Sequence, residues 1–325
     1  MIKYQTSQTL LWWFTFRYWI CIVIAVVLLV LILTLSLTLT KRRNETPTLI
    51  PTVTPSGNCD EAAVAADADA GICSNFGRDM LKRGGSVVDA AIAALLCVSV
   101  VNPYSMGIGG GVVFTIYNPS TGIVEIINAR ETAPLRASEN MFGNDPEQAK
   151  KAGLLIAVPG ELRGYHMAHQ KYGRLEWKEL FQPSIELANK GFKIGKGLAD
   201  AINENSQTIR SDFALCEVFC DLNNNTLKEN DTIRFPKLAL TYKVIAEEGP
   251  DAFYNGTLTQ IIVDDINAKG GIITRKDLED YKPQNESYAL NFTVGKYIFH
   301  APNTPFGGPV LALILNILKG KRVCL

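Results

Sequence analysis

The sequence has few of the residues that metal and nucleotide sites require. Only three of its 325 residues are histidines, and none of its seven cysteines belongs to a Cys-x-x-Cys pair, so no zinc centre is predicted. No glycine-rich segment ends in Gly-Lys-Ser/Thr, which argues against a phosphate-binding loop of the NTPase type. Basic and acidic residues number 32 each, so the positive excess that nucleic-acid binding needs is missing. We therefore predict no metal, no cofactor and no nucleic-acid partner.

Charge is also absent from one long segment near the amino terminus. Residues 19–39 form an uncharged, mostly apolar run of 21 residues, preceded by Trp12, Trp13 and Tyr18. A helix of this length spans a bilayer, and aromatic residues concentrate at membrane interfaces. A cleaved signal peptide would have a shorter apolar region and a small-residue cleavage site, and a buried core helix is seldom so free of polar residues. We predict a cytoplasmic tail over residues 1–18 and a transmembrane signal-anchor helix over residues 19–39.

Glycosylation acceptors indicate the orientation of this span, because the basic residues on its two sides are balanced. Every Asn-x-Ser/Thr sequon without proline lies after the span. That arrangement predicts a single-pass type II protein of the cell membrane with an extracellular carboxy-terminal region. The predicted glycosylation sites are Asn44, Asn224, Asn230, Asn255, Asn285 and Asn291.

The region after the span divides at about residue 60. Residues 40–60 are rich in threonine and proline and contain no aromatic residue, which is typical of a solvated stalk. Residues 61–325 carry enough apolar side chains for a sizeable core and form the predicted ectodomain. Beyond residue 43 the chain has 27 basic and 32 acidic residues, so this part is mildly acidic.

The stretch from Ser86 to Arg130 holds the clearest chemical signals. Ser86 and Asp89 have the spacing of a capping box, and the apolar run Val87–Val100 predicts a buried helix. A glycine-rich segment, Ser105–Gly111, follows the helix, and there the main chain can approach another group closely. A dinucleotide-binding loop needs a strand before its glycines and a helix after them. Here the order is helix, glycines, strand, so we reject that possibility.

A β-hairpin is predicted directly after the glycines. The β-branched and aromatic runs Val112–Tyr117 and Ile123–Ile127 flank a turn-forming segment centred near Ser120. Antiparallel pairing then sets Asn128 opposite Val112, within one residue of register.

The second strand of the hairpin brings one arginine close to the glycine-rich segment. With this register, Arg130 is predicted beside the segment Gly109–Gly111. The planar guanidinium of arginine binds a carboxylate through two parallel hydrogen bonds, so a small carboxylate-bearing ligand is one hypothesis. The alternatives are an exposed arginine without a ligand and a structural ion pair with Glu131.

The rest of the ectodomain alternates between helical and strand patterns without internal repeats, which indicates an α+β fold. Helices are predicted at Glu161–Tyr172, Trp177–Asn189, Pro236–Glu248, Gly256–Lys269 and after the capping pattern Thr274-x-x-Asp277, and strands at Leu154–Val158 and Tyr288–Phe299.

Two histidines share one predicted helix. His166 and His169 are three residues apart and could bind a metal from one helix face, but neither a Glu-x-x-His context nor a third ligand accompanies them. We predict that they lie on the helix surface and bind no metal.

Several short motifs form a recognisable set. They are Gly84-Gly-Ser-x-x-Asp-Ala-Ala91, Ser105-Met-Gly-Ile-Gly-Gly-Gly111, Asn128-Ala-Arg-Glu131, Val158-Pro-Gly-Glu161, Phe181-Gln-Pro-Ser184 and Ala252-Phe-Tyr-Asn-Gly256. From about residue 62 to residue 320, the chain closely resembles the γ-glutamyltransferase (glutathione hydrolase) family, and most of all its animal membrane-bound members.

This resemblance implies a fold, an activity and roles for particular residues. The implied fold is the four-layer αββα amino-terminal nucleophile (Ntn) hydrolase fold, shared between a large and a small subunit cut from one precursor. The implied activity is transfer of the γ-glutamyl group of glutathione to amino acids, peptides or water. The implied site residue is Arg130, which binds the α-carboxylate of the glutamyl group. The implied disulfides join Cys73 to Cys97 and Cys216 to Cys220, as expected for an oxidising compartment.

The family's catalytic nucleophile is not found in this sequence. In the family a threonine freed by cleavage at a Thr-Thr-His-like sequence attacks the substrate, and no Thr-Thr pair occurs here. We therefore expect an incomplete large-subunit portion that is inactive alone, with no catalytic residue of its own. The alternative is a non-catalytic membrane glycoprotein that acts as a partner or decoy of complete subunits.

Overall fold

Two helices joined by a short glycine turn form the first part of the fold, which we describe from a computed structural model. Helix α1 (Gly71–Lys82) packs against helix α2 (Val87–Val101), and a disulfide joins Cys73 of the first to Cys97 of the second. The predicted capping box is present, with Ser86 N donating to Asp89 Oδ2 (2.7 Å) and Asp89 N donating to Ser86 Oγ (3.0 Å). Because α2 is apolar on nearly every face, most of its residues are buried.

The structure describes residues 64–66, 70–143, 152–286 and 288–320. The predicted tail, transmembrane span and stalk lie outside the described residues, as does the sequon Asn44. Within the described ranges no helix is both long enough and apolar enough to cross a membrane.

The predicted hairpin is confirmed. Strands β1 (Val112–Asn118) and β2 (Ile123–Ala129) are antiparallel, and Val112 pairs with Ala129. The register differs by one residue from the central expectation, which placed Asn128 opposite Val112, and is within the stated margin.

The segment before the third helix is not the predicted strand. Residues Ala152–Leu155 form a single 3₁₀ turn, and only Val158 pairs, through an isolated bridge to Thr132. Gly153 explains the difference, because its N–H donates to Lys269 O (3.3 Å). The residue before the apolar run is therefore bonded to a distant segment, and within the run only Val158 pairs with another strand-like segment. The predicted helices that follow are confirmed as α3 (Glu161–Tyr172) and α4 (Trp177–Lys190).

The next part of the chain forms small elements around a second disulfide. Strands β3 (Phe192–Lys193) and β4 (Thr232–Ile233) form a short antiparallel pair. Between them in the chain lie helices α5 (Lys196–Glu204), α6 (Ser206–Ser211) and α7 (Phe213–Phe219). Cys216 and Cys220 are joined at the end of α7, with their Cα atoms 4.8 Å apart.

Two of the later predictions need correction. The helix expected over Gly256–Lys269 begins only at Thr259, because Thr259 Oγ1 accepts the Gly256 N–H (2.8 Å) and stops the chain from being helical earlier. The strand expected over Tyr288–Phe299 is a hairpin, because Gly295 takes a positive φ of 64° and turns the chain. The elements in this region are α8 (Pro236–Glu248), α9 (Asp251–Tyr254), α10 (Thr259–Ala268), α11 (Arg275–Asp280), β5 (Gln284–Glu286), β6 (Leu290–Val294), β7 (Tyr297–Ala301) and α12 (Gly308–Gly320).

The packing of these elements defines where a site can lie. The strand order β1-β2-β5 makes a three-stranded sheet, with α3 against β1 and β2. Helix α2 packs against α3 and α4, and α4 packs against α8. The described residues thus have the mixed helix and sheet composition that was predicted, and the glycines that precede β1 lie at the start of the hairpin.

Candidate functional site

The glycine-rich segment forms a turn on the amino-terminal end of α3. Gly110 N donates to Gly107 O (2.8 Å), which closes the turn. Gly110 O in turn accepts hydrogen bonds from Gly160 N (2.9 Å) and Glu161 N (3.1 Å). These are two of the N–H groups that a helix start leaves without intrahelical partners, so the turn and the helix satisfy each other. We call residues 107–111 the glycine turn.

Arg130 lies beside this turn, where the hairpin register predicted it. A Cβ atom at Gly111 would be 3.0 Å from Arg130 Cα and 2.7 Å from Ala129 O, so only glycine fits at this position. The Arg130 main chain is held at both ends, with its N–H donating to Asn128 Oδ1 (3.1 Å) and its carbonyl oxygen accepting from Tyr281 Oη (2.9 Å).

The Arg130 side chain is exposed, and its guanidinium carbon is 6.0 Å from the centre of the Phe306 ring. Within the described residues no carboxylate lies within 4.0 Å of it. The ion pair with Glu131 is therefore not formed. The Glu131 carboxyl group instead lies against the turn, with its Cδ 3.0 Å from the position of a Cβ on Gly111.

A second carboxyl group, that of Glu161, is buried under the turn. The residue is only 1% exposed, and the Tyr165 hydroxyl donates a hydrogen bond to Glu161 Oε1. Burial raises the pKa of Glu161 to about 8; the hydrogen bond from Tyr165 opposes this shift and the nearby Glu131 adds to it. Glu161 is therefore largely protonated at neutral pH.

An arginine and two tyrosines brace the Arg130 main chain from behind. The Arg163 guanidinium lies 4.5 Å from the centre of the Tyr254 ring and donates to the carbonyl oxygens of Glu279 (3.2 Å) and Tyr281. The Tyr254 and Tyr281 rings stack at 6.1 Å. Because Tyr281 Oη donates to the Arg130 carbonyl, this cluster ties α3, α9 and α11 to the site.

The sequence predictions did not include Glu161, Tyr165, Arg163 or Tyr281 as site residues. A usable signal existed for the first two, since they are four residues apart on a predicted helix and so share a face. The other two are brought to the site by contacts over more than 100 positions of the chain.

The two helix histidines, predicted on the helix surface, are partly buried. His169 Nε2 is 2.9 Å from Leu175 O and 3.6 Å from Asp89 Oδ1, and its ring contacts Trp177 edge to face at 5.5 Å. His166 contacts the same indole at 5.7 Å, and burial lowers its pKa. The Trp177 ring thus contacts both imidazoles, which a helical pattern alone does not reveal. Across the described ranges no group of three His, Cys, Asp or Glu side chains could hold a metal ion.

The sequon asparagines of the described residues are exposed. Asn224 and Asn230 lie in loops with positive φ, and Asn255 follows α9. Asn285 lies on β5 and Asn291 on β6. All five side chains are open to solvent.

The chain is similar to known proteins over most of its length. Residues 73–323 match the family model "Gamma-glutamyltranspeptidase". The chain is 45% identical over 272 residues to glutathione hydrolase 5 proenzyme of Rattus norvegicus, covering 80% of this chain and 45% of that protein. It is 44% identical over 263 residues to scoloptoxin SSD14 of Scolopendra dehaani, covering 81% of this chain and 45% of that protein. The chain thus spans a little under half the length of these relatives.

A solved structure gives the same result for the fold. The Helicobacter pylori gamma-glutamyltranspeptidase superposes with a TM-score of 0.76 at 27% identity, over 83% of this chain and 78% of that one. The structural neighbours have the Ntn-hydrolase fold of gamma-glutamyltranspeptidases, with mixed helix and sheet. The family model covers well over half of the chain and includes the glycine turn, Arg130 and Glu161. The chain therefore belongs to the gamma-glutamyltranspeptidase family.

Proposed function

We propose that this chain is the large-subunit portion of a membrane-anchored γ-glutamyltransferase or glutathione hydrolase, in which Arg130 binds the α-carboxylate of the glutamyl group. One observation carries this assignment. The exposed Arg130 side chain starts from a main chain that is fixed at both its N–H and its carbonyl, directly beside a turn in which four of the five residues are glycine. The complete protein would have the four-layer αββα arrangement of the family.

The geometry suits a small substrate that carries a carboxylate. Because the backbone of Arg130 is already fixed, the residue loses less conformational entropy when its guanidinium forms two hydrogen bonds to a carboxylate. The glycine turn leaves space for the main chain to approach the glutamyl group, because Gly107 and Gly109 have open space where a Cβ would be. The Phe306 ring, 6.0 Å away, gives the guanidinium an aromatic neighbour.

The reaction needs a nucleophile that we assign outside these 325 residues. A threonine hydroxyl attacks the γ-carbonyl carbon, the amine of the donor leaves, and an acceptor amine or water then cleaves the resulting ester. We propose that this threonine comes from the small subunit cut from the same precursor. The role of the present chain is then to bind and orient the glutamyl group.

Replacement of Arg130 by lysine tests the assignment in the chain joined to the remainder of its precursor. Lysine keeps the positive charge but loses the planar fork, so we expect kcat/KM for a γ-glutamyl anilide to fall by about 5- to 150-fold. Arg136→Lys, also exposed and six residues away, is the matched control. Equal kcat/KM for the Arg130 variant and the unchanged protein would refute the role of Arg130.

We also propose that the protein is a type II membrane glycoprotein of the cell surface. The uncharged 21-residue span and the six sequons after it support this orientation. Expressed in animal cells, the chain should stay in carbonate-washed membranes and decrease in mass after endoglycosidase treatment. A chain with all six sequon asparagines replaced by glutamine is the control and should show no decrease. Absence of any mass change in the unchanged chain would contradict the orientation.

The second candidate function is that of a non-catalytic partner or decoy of complete subunits. The exposed apolar side chains of α12 favour it, because such a surface suits association with another chain. Sequencing the transcript downstream of codon 325 separates the candidates. A Thr-Thr-His-coding segment in frame supports the enzyme, and its absence supports the partner.

A further inference from the structure

Glu161 is a buried acid that carboxylate binding at Arg130 does not use. It is 1% exposed, and among the described residues no lysine or arginine lies within 4.0 Å of its carboxyl group. Burying a carboxyl group without a cation costs free energy, which natural proteins accept mainly at functional positions. The burial of Glu161 therefore indicates a role in this site.

Its contacts point to the glycine turn. Glu161 N donates to Gly110 O, and Glu161 Oε2 lies 3.5 Å from the position of a Cβ on Gly110. Both the main chain and the side chain of Glu161 therefore lie against Gly110. Glu131 Oε1 lies 3.5 Å from that same Cβ position. Two carboxyl groups therefore lie near Gly110, one of them on the residue next to Arg130.

The charge state of Glu161 matters because acidic and carbonyl oxygens face it. The ionisable groups around it are Glu131 beside the turn, Tyr165 on its own helix, Tyr242 on α8 and Tyr254 on α9. Burial raises the pKa of all three tyrosines above the usual value, so they remain neutral over the ordinary pH range. Tyr281, next to Glu131, has its pKa raised to about 12, again by burial. Glu161 is the group of this set that changes charge near pH 8.

We propose that Glu161 is a positioning residue of this site: its carboxyl group, packed beneath Gly110, holds the glycine turn beside Arg130. The link to substrate rests on the proposed function of Arg130. The neutral acid tolerates the Gly110 carbonyl and the Glu131 carboxylate as neighbours. The ionised carboxylate is more stable in water than buried, so on ionisation its side chain should move out from beneath the turn. Glutamine has the shape of the neutral acid and does not ionise.

The first test measures the turn without any ligand. Hydrogen exchange of the amides of residues 107–111 is followed in the full chain at pH 6.5 and pH 9, with labelling times scaled to the intrinsic exchange rate. In the unchanged chain we expect protection to fall about tenfold between these pH values. Glu161→Gln should keep its protection at both, and Glu161→Ala should lack it at both. Glu247→Gln, an exposed glutamate on α8, should behave as the unchanged chain.

Stability gives a second readout with a definite sign. The pKa of Glu161 is raised from 4.5 to about 8, so the folded state binds more protons than the unfolded state between these values. The free energy of unfolding of the unchanged chain must then fall as pH rises from about 4.5 to about 8, relative to Glu161→Gln. If Glu161→Ala does not fold, as judged by circular dichroism, the comparison between the unchanged chain and Glu161→Gln is the test of the proposal.

Two outcomes overturn the proposal. One is that Glu161→Gln loses turn protection with pH as the unchanged chain does, and the other is that Glu161→Ala keeps it. The precursor with its remaining sequence then tests the link to Arg130. In the unchanged precursor we expect KM to rise above pH 8, as ionised Glu161 leaves the turn, and Glu161→Gln should remove this rise. Failure of γ-glutamyl binding in every variant would refute the function of Arg130 and leave the result on the turn intact.

Discussion

At the scale of single residues, the site depends on positions that have no space for a side chain. A Cβ on Gly160 would collide with the Tyr281 hydroxyl and with the Ala129 carbonyl oxygen. Both partners are themselves fixed, since Tyr281 bonds to Arg130 O and Ala129 pairs with Val112. The neighbours of Gly160 therefore cannot move without disturbing the backbone that presents Arg130.

We predict that Gly160→Ala destabilises the chain. The methyl group forces backbone and ring shifts, so the free energy of unfolding should fall by about 3 kcal/mol. Urea unfolding followed by circular dichroism measures the change. Gly71→Ala is the matched control, because no atom lies within 4 Å of its Cβ position at the start of α1. It should be neutral or stabilise by about 0.5 to 1 kcal/mol. Equal urea midpoints for the two variants would contradict the steric explanation.

At the scale of elements, one aspartate connects the start of α2 to the loop between α3 and α4. Asp89 is fully buried, and its Oδ2 accepts from Ser86 N (2.7 Å), Arg174 N (2.9 Å) and Leu175 N (3.2 Å). Its Oδ1 faces His169 Nε2 at 3.6 Å. The capping signal in the sequence thus serves a tertiary connection as well as a helix start.

Asp89→Ala should be among the most destabilising substitutions in the chain. It leaves three main-chain N–H groups without their acceptor, and we expect the free energy of unfolding to fall by about 3 kcal/mol or more. Asp89→Asn keeps one acceptor oxygen and should lose less. The control is Asp221→Ala, whose carboxylate accepts from Asn223 N (2.8 Å) and Asn225 N (2.9 Å) on the surface. There water replaces the carboxylate and the loss should be about 1 kcal/mol or less. Similar losses at the two aspartates would contradict the role of burial.

At the scale of the whole molecule, helix α12 carries several exposed apolar side chains. Val310 is 58% exposed, Leu313 61% and Ile317 55%, while other residues of the helix contact β6. A patch of this kind on an isolated chain favours association or aggregation.

We predict that these 325 residues alone neither cleave themselves nor transfer a γ-glutamyl group. Without the proposed threonine nucleophile the reaction is left to water, at a cost of many orders of magnitude in rate. The assay supplies a chromogenic γ-glutamyl anilide to the full chain in detergent, and the chain joined to its remaining precursor sequence is the positive control. Turnover that scales with protein and disappears in Arg130→Ala would mean that another hydroxyl group of this chain is the nucleophile.

Local patterns in the sequence determined much of the fold. The helix Val87–Val101, its capping box and the hairpin were all predictable, because caps and alternating apolar residues act between neighbours in the chain. The place of Arg130 beside the glycines followed from the hairpin register alone. The two disulfides join the cysteines that the family resemblance paired.

Only the tertiary structure decided the features that depend on contacts between distant segments. The run Leu154–Val158 has a strand composition, but Gly153 just before it is bonded to Lys269 O and the chain there forms a 3₁₀ turn. The histidines of α3 contact Trp177. Above all, the sequence places Glu161 at a helix start, where a charged carboxylate is normally favourable. Packing under Gly110 removes it from water and raises its pKa to about 8. Desolvation depends on what surrounds a group in three dimensions, so no local pattern determines it.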